Sequence, residues 1–187
     1  YSEEDSAFHW MTRLSNEYPS DIGILAPLLL NLIELKPGEA LFLPAGELHA
    51  YLEGVGLELM ANSDNVLRGG LTPKHIDVPE LLKVLSFKPR PVNILEAVKK
   101  NKNERGYASA ADEFVLTVVS VSAGSPYQSS ESRSVEIILC IEGTAYLKDY
   151  GTQEIINIKK GRSALIPAAV TGYSITGDAL IYKAAVP

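Results

Sequence analysis

The sequence predicts a mainly β fold: two β-rich blocks with a few flanking helices. Three observations predict it. From Leu28 onward, short apolar runs alternate with Gly- and Pro-bearing turn signals. Seven such runs crowd into residues 113–187, the texture of a small all-β sandwich or barrel. A segment at 35–51 recurs at 158–174 with a constant offset of 123, Gly, Pro and the following Ala coinciding without a gap, as two copies of one β unit would.

The elements follow in order. Phe8, Met11, Leu14 and Tyr18 recur at intervals of three and four, with Asp5 or Ser6 as N-cap and Pro19 beyond the end, so residues 6–18 read as an amphipathic helix. After the apolar stretch Leu28–Leu35 and the turn Lys36-Pro37-Gly38-Glu39, the runs 40–43, 48–52 and 55–60 are expected strands, divided by Pro44-Ala45-Gly46 and Glu53-Gly54. Asp77–Leu85 returns to helical spacing, with Pro79 early, where its missing N–H costs nothing. Residues 93–112 are polar and charge-mixed and read as a linker. Expected strands then fill 114–122, 135–141, 144–148, 154–158, 163–166, 170–176 and 179–185. The domain reading is a helical segment at 1–27, a β-rich block at 28–92, the linker at 93–112 and a second small β domain at 113–187.

Composition narrows the function. The 187 residues carry 17 basic and 23 acidic side chains, net −6, so a nucleic acid meets long-range repulsion and is excluded as a partner. One or two local cations still suffice for a small phosphorylated ligand. The longest apolar run, Ile22–Leu35, is broken by Gly23, Pro27, Asn31 and Glu34, well short of the roughly 20 apolar residues a bilayer span needs. The single cysteine, Cys140, has no intrachain partner and sits in an apolar run, which suits a reducing cytoplasm. The first residues lack the basic start and apolar centre of a signal peptide, and Tyr1 reads as a cut end.

The chemistry centres on His49. Gly38, five residues, Pro44, one residue, Gly46, two residues and His49 form the spacing of the second cupin motif, a strand–turn–strand unit that points one histidine into a small barrel. Glu53 stands where that motif usually ends in Asn, and the second copy of the repeat has Gly172 in place of His49, so it has lost any ligand role. One imidazole cannot hold a zinc ion, which takes four donors. His9 and His75 do not pair with His49 at a ligand-like spacing.

The runs Pro37-Gly38-Glu39-Ala40-Leu41-Phe42-Leu43, His49-Ala50-Tyr51-Leu52 and above all Glu58-Leu59-Met60-Ala61-Asn62-Ser63-Asp64-Asn65-Val66-Leu67-Arg68-Gly69-Gly70-Leu71-Thr72-Pro73-Lys74 carry a resemblance. They resemble the type I mannose-6-phosphate isomerases, bacterial form, and the likeness extends over nearly the whole chain. It implies cupin-type β-barrel or jelly-roll units: the C-terminal half of one barrel, then a complete second one. It also implies a zinc-dependent aldose–ketose isomerase that moves a proton between C1 and C2 of mannose 6-phosphate and fructose 6-phosphate through a cis-enediol. By resemblance His49 is a zinc ligand and Arg68 the catalytic arginine. Glu58 is a candidate acid/base or orienting carboxylate, Lys74 a candidate anion contact on the substrate and Tyr51 a candidate sugar contact. Family chains are longer and complete the zinc site with a Gln-x-His-Pro segment and a Glu; no Gln-x-His occurs here. The resemblance therefore implies a C-terminal portion that, alone, is inactive and binds zinc poorly, with exposed strand edges that favour dimerisation.

Each candidate also has a plainer reading. Arg68 is placed to pair with Asp64 four residues earlier, Glu58 faces either lumen or solvent by alternation between Leu57 and Leu59, and Lys74 beside Pro73 is a solvated turn residue. Two rival functions belong to other classes: a non-catalytic sugar-phosphate-binding cupin, and a different metal-dependent cupin enzyme such as an oxygenase.

Overall fold

The computed structural model describes residues 3–63 and 65–187, with side chains in the first helix from Ser6 onward. The chain divides into two compact units. The first comprises residues 1–37, 41–55 and 63–94, and the second residues 38–40, 56–62 and 95–187.

In the first unit, α1 spans Glu3–Glu17. It starts before Asp5 and Ser6, so neither caps it. Its buried stripe is Ala7 and Leu14 with Met11 and Tyr18 half-buried, whereas Phe8 is exposed. The interval of three and four holds, but the seam is shifted one residue from Phe8 to Ala7. Asp21 then caps a 3-10 turn, Ile22–Leu25, by accepting the Gly23 N–H at 2.7 Å, and α2 (Ala26–Leu29) follows with Pro27 in its first turn. The expected helix at 77–85 is α3, Val78–Val84: the Asp77 carboxylate accepts the Glu80 N–H at 3.0 Å, and Leu81 supplies the buried contact.

Two short strands, β1 (Glu39–Leu41) and β2 (Ile94–Glu96), stand where the chain passes between the units. The runs 48–52 and 55–60 are not strands. In 57–60 the alternation is present, with Leu57 and Leu59 half-buried and Glu58 and Met60 exposed, but neither run joins a ladder among the described residues.

In the second unit the linker expectation gives way to strands. β3 (Val98–Lys99) pairs with β4 (Glu104–Gly106), which pairs with β5 (Val115–Val121). The segment is polar because its polar groups do structural work. The Asn103 amide donates to Ser120 O at 2.9 Å and Ser125 O at 3.0 Å, and Glu104 turns its carboxylate inward.

A two-residue strand that was not expected, β6 (Tyr127–Gln128), comes first, and the six expected strands downstream of 122 become four: β7 (Glu136–Asp149), β8 (Ile155–Lys159), β9 (Ser163–Ile166) and β10 (Tyr173–Ala185). The runs on either side of Gly143, and those on either side of Gly177, are single long strands bent at glycine rather than hairpins. Gly143 (φ 74°) and Gly177 (φ 119°) lie across from Ala179 and Ala145, and a Cβ on either would stand 2.0 Å from Asp178 O or 2.4 Å from Thr144 O. Only glycine lets the two backbones close there. A bulge at the same place leaves Ile141 without a partner: Leu180 faces Glu142 and Ile181 faces Cys140. The buried set of β7 accordingly switches from Glu136, Ile138 and Cys140 to Ala145 and Leu147.

β7 and β10 run antiparallel along their whole lengths and are shared by both halves of the sheet. β10 pairs with β6 and then β5, and β7 with β9 and then β8. The sheet folds over one core containing Val119, Ile138, Cys140, Ile158, Tyr173, Ile175 and Ile181. This antiparallel architecture is the cupin-like unit expected for the C-terminal region. The repeat is visible in the backbone, since Gly38 (φ 89°) and Gly161 (φ 80°), 123 residues apart, make the same left-handed turn before β1 and β9.

One patch of this core is charged. Lys183 Nζ lies 2.7 Å from Tyr127 OH, 2.9 Å from Glu104 Oε1 and 3.2 Å from Glu136 Oε1, and Arg133 approaches Glu136 at 3.4 Å. These side chains are all buried, two cations against two carboxylates. Burial alone would raise the Glu104 carboxyl and lower the Lys183 ammonium. Their mutual attraction outweighs it, holding Glu104 below and Lys183, with Tyr127's help, above its ordinary value.

Candidate active site

The bend that carries His49 is seated by backbone. Gly46 has φ 84°, its carbonyl accepts the Ser86 N–H at 2.9 Å, and a Cβ there would stand 2.7 Å from Val84 O, just past α3. The next residue, Glu47, receives Arg90 Nη2 on Oε2 at 2.7 Å and Arg90 Nε on Oε1, and Arg90 Nη2 also donates to Phe42 O at 3.1 Å. The Arg90 hydrogen bonds hold the Glu47 carboxyl below its ordinary value against slight burial.

His49 itself is exposed, with Nδ1 3.0 Å from Glu47 O. A carbonyl only accepts, so Nδ1 carries the proton and Nε2 keeps the lone pair. The Tyr51 ring meets the imidazole edge to face, centroids 5.9 Å apart and planes at 67°.

Arg68 reaches the same neighbourhood through its own neighbour. A Cβ on Gly69 would lie 2.4 Å from Leu48 Cδ2, so the backbone after Arg68 closes directly on the residue before His49. The Arg68 side chain is exposed, and the pairing with Asp64 falls outside the described residues. Beyond it, Gly70 (φ 143°) and Leu71 (φ 52°) turn the chain. Leu71 occupies a left-handed conformation that costs a side-chain-bearing residue roughly 1–2 kcal/mol. Asp21 holds it there: Oδ2 accepts the Leu71 N–H at 2.8 Å while Oδ1 accepts that of Gly23.

Lys74 is exposed at a turn in which its N–H donates to Thr72 Oγ1 at 3.2 Å. Glu58 is exposed and belongs to the second unit, whereas His49, Tyr51, Arg68 and Lys74 belong to the first. Asp21, Glu47, Gly69 and Arg90 escaped the sequence reading. Only the Gly69-Gly70 pair carried a local signal of close approach; the partners of Asp21 and Arg90 lie 50 and 43 residues away. Among the described residues no three His, Cys, Asp or Glu side chains converge on one point. His49 fits as one imidazole donor and no more.

Comparison with known proteins places this geometry. The family described as "Mannose-6-phosphate isomerase, cupin domain" matches residues 103–184. The mannose-6-phosphate isomerase of Salmonella typhimurium is 40% identical over 177 residues, 94% of this chain and 44% of that protein. The human enzyme is 38% identical over 170 residues, 88% of this chain and 40% of its own. The chain is similar to mannose-6-phosphate isomerases over nearly all of its own length. It spans less than half the length of these relatives. A crystal structure of the Salmonella typhimurium isomerase bound to fructose 6-phosphate and zinc superposes with a TM-score of 0.84 at 34% identity, covering 98% of this chain and 48% of that one. Other crystal structures of that isomerase carry single alanine replacements at a histidine, a glutamate and an arginine spaced 9 and 10 residues apart. His49, Glu58 and Arg68 stand at the same two intervals. No helix among the described residues is long and apolar enough to cross a membrane.

Proposed function

We propose that this chain supplies part of the active site of a zinc-dependent isomerase interconverting mannose 6-phosphate and fructose 6-phosphate, the rest lying in the portion of family length it does not span. The Leu48–Gly69 closure carries the reading, because it sets the His49 and Arg68 segments side by side in a single unit. The first unit also leaves Leu29, Tyr51, Leu82 and Phe87 more than half exposed, an apolar surface suited to the remainder of a family-length protein.

His49 would contribute Nε2 to the metal, and the other donors would come from outside this chain. Bound zinc supplies Lewis acidity toward sugar oxygens. The remaining roles fall to side chains. As a proton leaves C2 of the aldose or C1 of the ketose, negative charge grows on the neighbouring oxygens, and Arg68, permanently charged, stabilises the cis-enediol that forms. Glu58 is the candidate carboxylate for moving or orienting that proton, Lys74 meets the phosphate and Tyr51 hydrogen-bonds the sugar. The setting is the cytoplasm, and the edges of the sheet are candidate dimer contacts.

The test is a protein of full family length containing this sequence, compared with its His49→Ala variant for zinc content and for conversion of mannose 6-phosphate in a coupled assay. The reading predicts that the wild type turns over and that His49→Ala loses both metal and activity. Hexose-phosphate binding without conversion by the zinc-loaded wild type would instead identify a non-catalytic module.

A further inference from the structure

Arg90 is an exposed arginine on no recognised motif, 41 residues downstream of His49, yet it makes three hydrogen bonds back to the bend that carries it. Two go to the Glu47 carboxylate and one to Phe42 O, on opposite sides of Pro44-Ala45-Gly46. A guanidinium fork of this kind fixes orientation as well as distance, which a single surface charge does not. The residue it grips is the one whose backbone carbonyl accepts from His49 Nδ1. The histidine side chain is exposed; the Tyr51 ring packs against it edge to face but fixes no ring proton, so that carbonyl is what sets the tautomer of the ring. Ser86, which donates to Gly46 O, anchors the other face of the bend but touches neither Glu47 nor His49.

We propose that Arg90, acting through Glu47, is a positioning residue that locks His49 as the Nδ1–H tautomer with Nε2 presented to the metal. The role presupposes His49 as a metal ligand. It adds an outer layer to that ligand, built from one arginine and one backbone carbonyl, where metal-binding histidines commonly lean on a carboxylate or carbonyl that fixes the ring.

The experiment uses the full-length protein with selectively 15N-labelled histidine. In the zinc-free wild type, long-range proton–nitrogen correlation should show His49 predominantly as the Nδ1–H tautomer. Arg90→Ala should show a mixture of tautomers and, by chelator competition, a zinc affinity weaker by about 10- to 100-fold. Arg90→Lys, which keeps the charge but not the bidentate fork, should recover only part of both. If Arg90→Ala does not fold, Glu47→Gln, which loses the charge but not the shape, should give the same mixed tautomers. A wild-type tautomer pattern in a folded Arg90→Ala or Glu47→Gln protein overturns the positioning role. Zinc affinity unchanged in His49→Ala would instead overturn the ligand reading, and a tautomer shift in Arg90→Ala would then still establish the clamp.

Discussion

Lys183→Met is the most informative single change in the second unit. Lys183 is 8% exposed and stands within 3.2 Å of both Glu104 and Glu136. Methionine fills similar volume, so packing is largely kept while the charge is lost. Glu136 retains Arg133, but Glu104 is left buried without an ionic partner, and orphaning a buried charge costs roughly 3–5 kcal/mol. Adding Glu104→Gln removes the orphan, so the double variant should be less destabilised than the sum of the two single variants by about 1–3 kcal/mol. The pH dependence fixes the sign. In the wild type the Glu104 carboxyl is held low, so its contribution is complete above its unfolded value near 4.5 and is lost as pH falls through the folded value. Without Lys183 the burial that opposes ionisation is no longer outweighed, the carboxyl rises, and protonation on acidification relieves the penalty. Lys183→Met should therefore lie closest to wild type at about pH 5 and furthest at pH 7. Urea unfolding followed by tyrosine near-ultraviolet circular dichroism reports on this unit through Tyr127 and Tyr173, because the only tryptophan, Trp10, is in α1. A penalty below about 1 kcal/mol that is equal at both pH values would refute the paired-ion description.

Three further outcomes follow from the geometry. Gly177→Ala sets a methyl group against Thr144 O in a left-handed conformation and should cost more in urea unfolding than Gly161→Ala, which meets no neighbour and pays only the roughly 1–2 kcal/mol of its own left-handed conformation. Asp21→Ala removes the acceptor of two N–H groups and should cost about 1–2 kcal/mol while sharply reducing hydrogen-exchange protection of the Leu71 amide. Burial, with Tyr182 beside it, pushes the Tyr107 hydroxyl up to about 12, so its stabilising contribution persists below its unfolded value near 10 and is lost between about pH 10 and 12. Burial raises Tyr127 and Tyr173 as well, so absorbance titration should show several late-ionising tyrosines, of which the component near pH 12 is missing in Tyr107→Phe.

What the sequence disclosed, and what it withheld, divides along physical lines. Turn chemistry was legible: Gly38 and Gly161 announce the same left-handed corner, and Asp77 with Pro79 announces α3. Period was legible, but phase was less so, since α1 has the expected three-and-four spacing with Ala7 rather than Phe8 on its inner face. Glycines inside β7 and β10 resembled turn glycines because both functions need a missing Cβ; only the facing strand distinguishes a bend from a reversal. Polar residues 93–112 read as solvated because the cations that draw Glu104 inward lie far off in sequence, chiefly Lys183. The runs 48–52 and 55–60 have the short apolar texture of strands, yet strand identity belongs to a pair, and composition says nothing about which segments pair. At the candidate site motif and resemblance offered His49 and Arg68 as candidates but gave no sign of the Asp21 and Arg90 clamps, because side-chain hydrogen bonds across 40 to 50 residues leave no local pattern.

The most direct measurement of the central claim is the turnover number of the full-length Arg68→Ala protein for mannose 6-phosphate at saturating substrate and full zinc occupancy. The account predicts a fall of roughly 10²–10³-fold with zinc still bound, the loss expected when a group stabilising transition-state charge is removed. Turnover within about threefold of wild type would contradict it and leave Arg68 with no part in the chemistry.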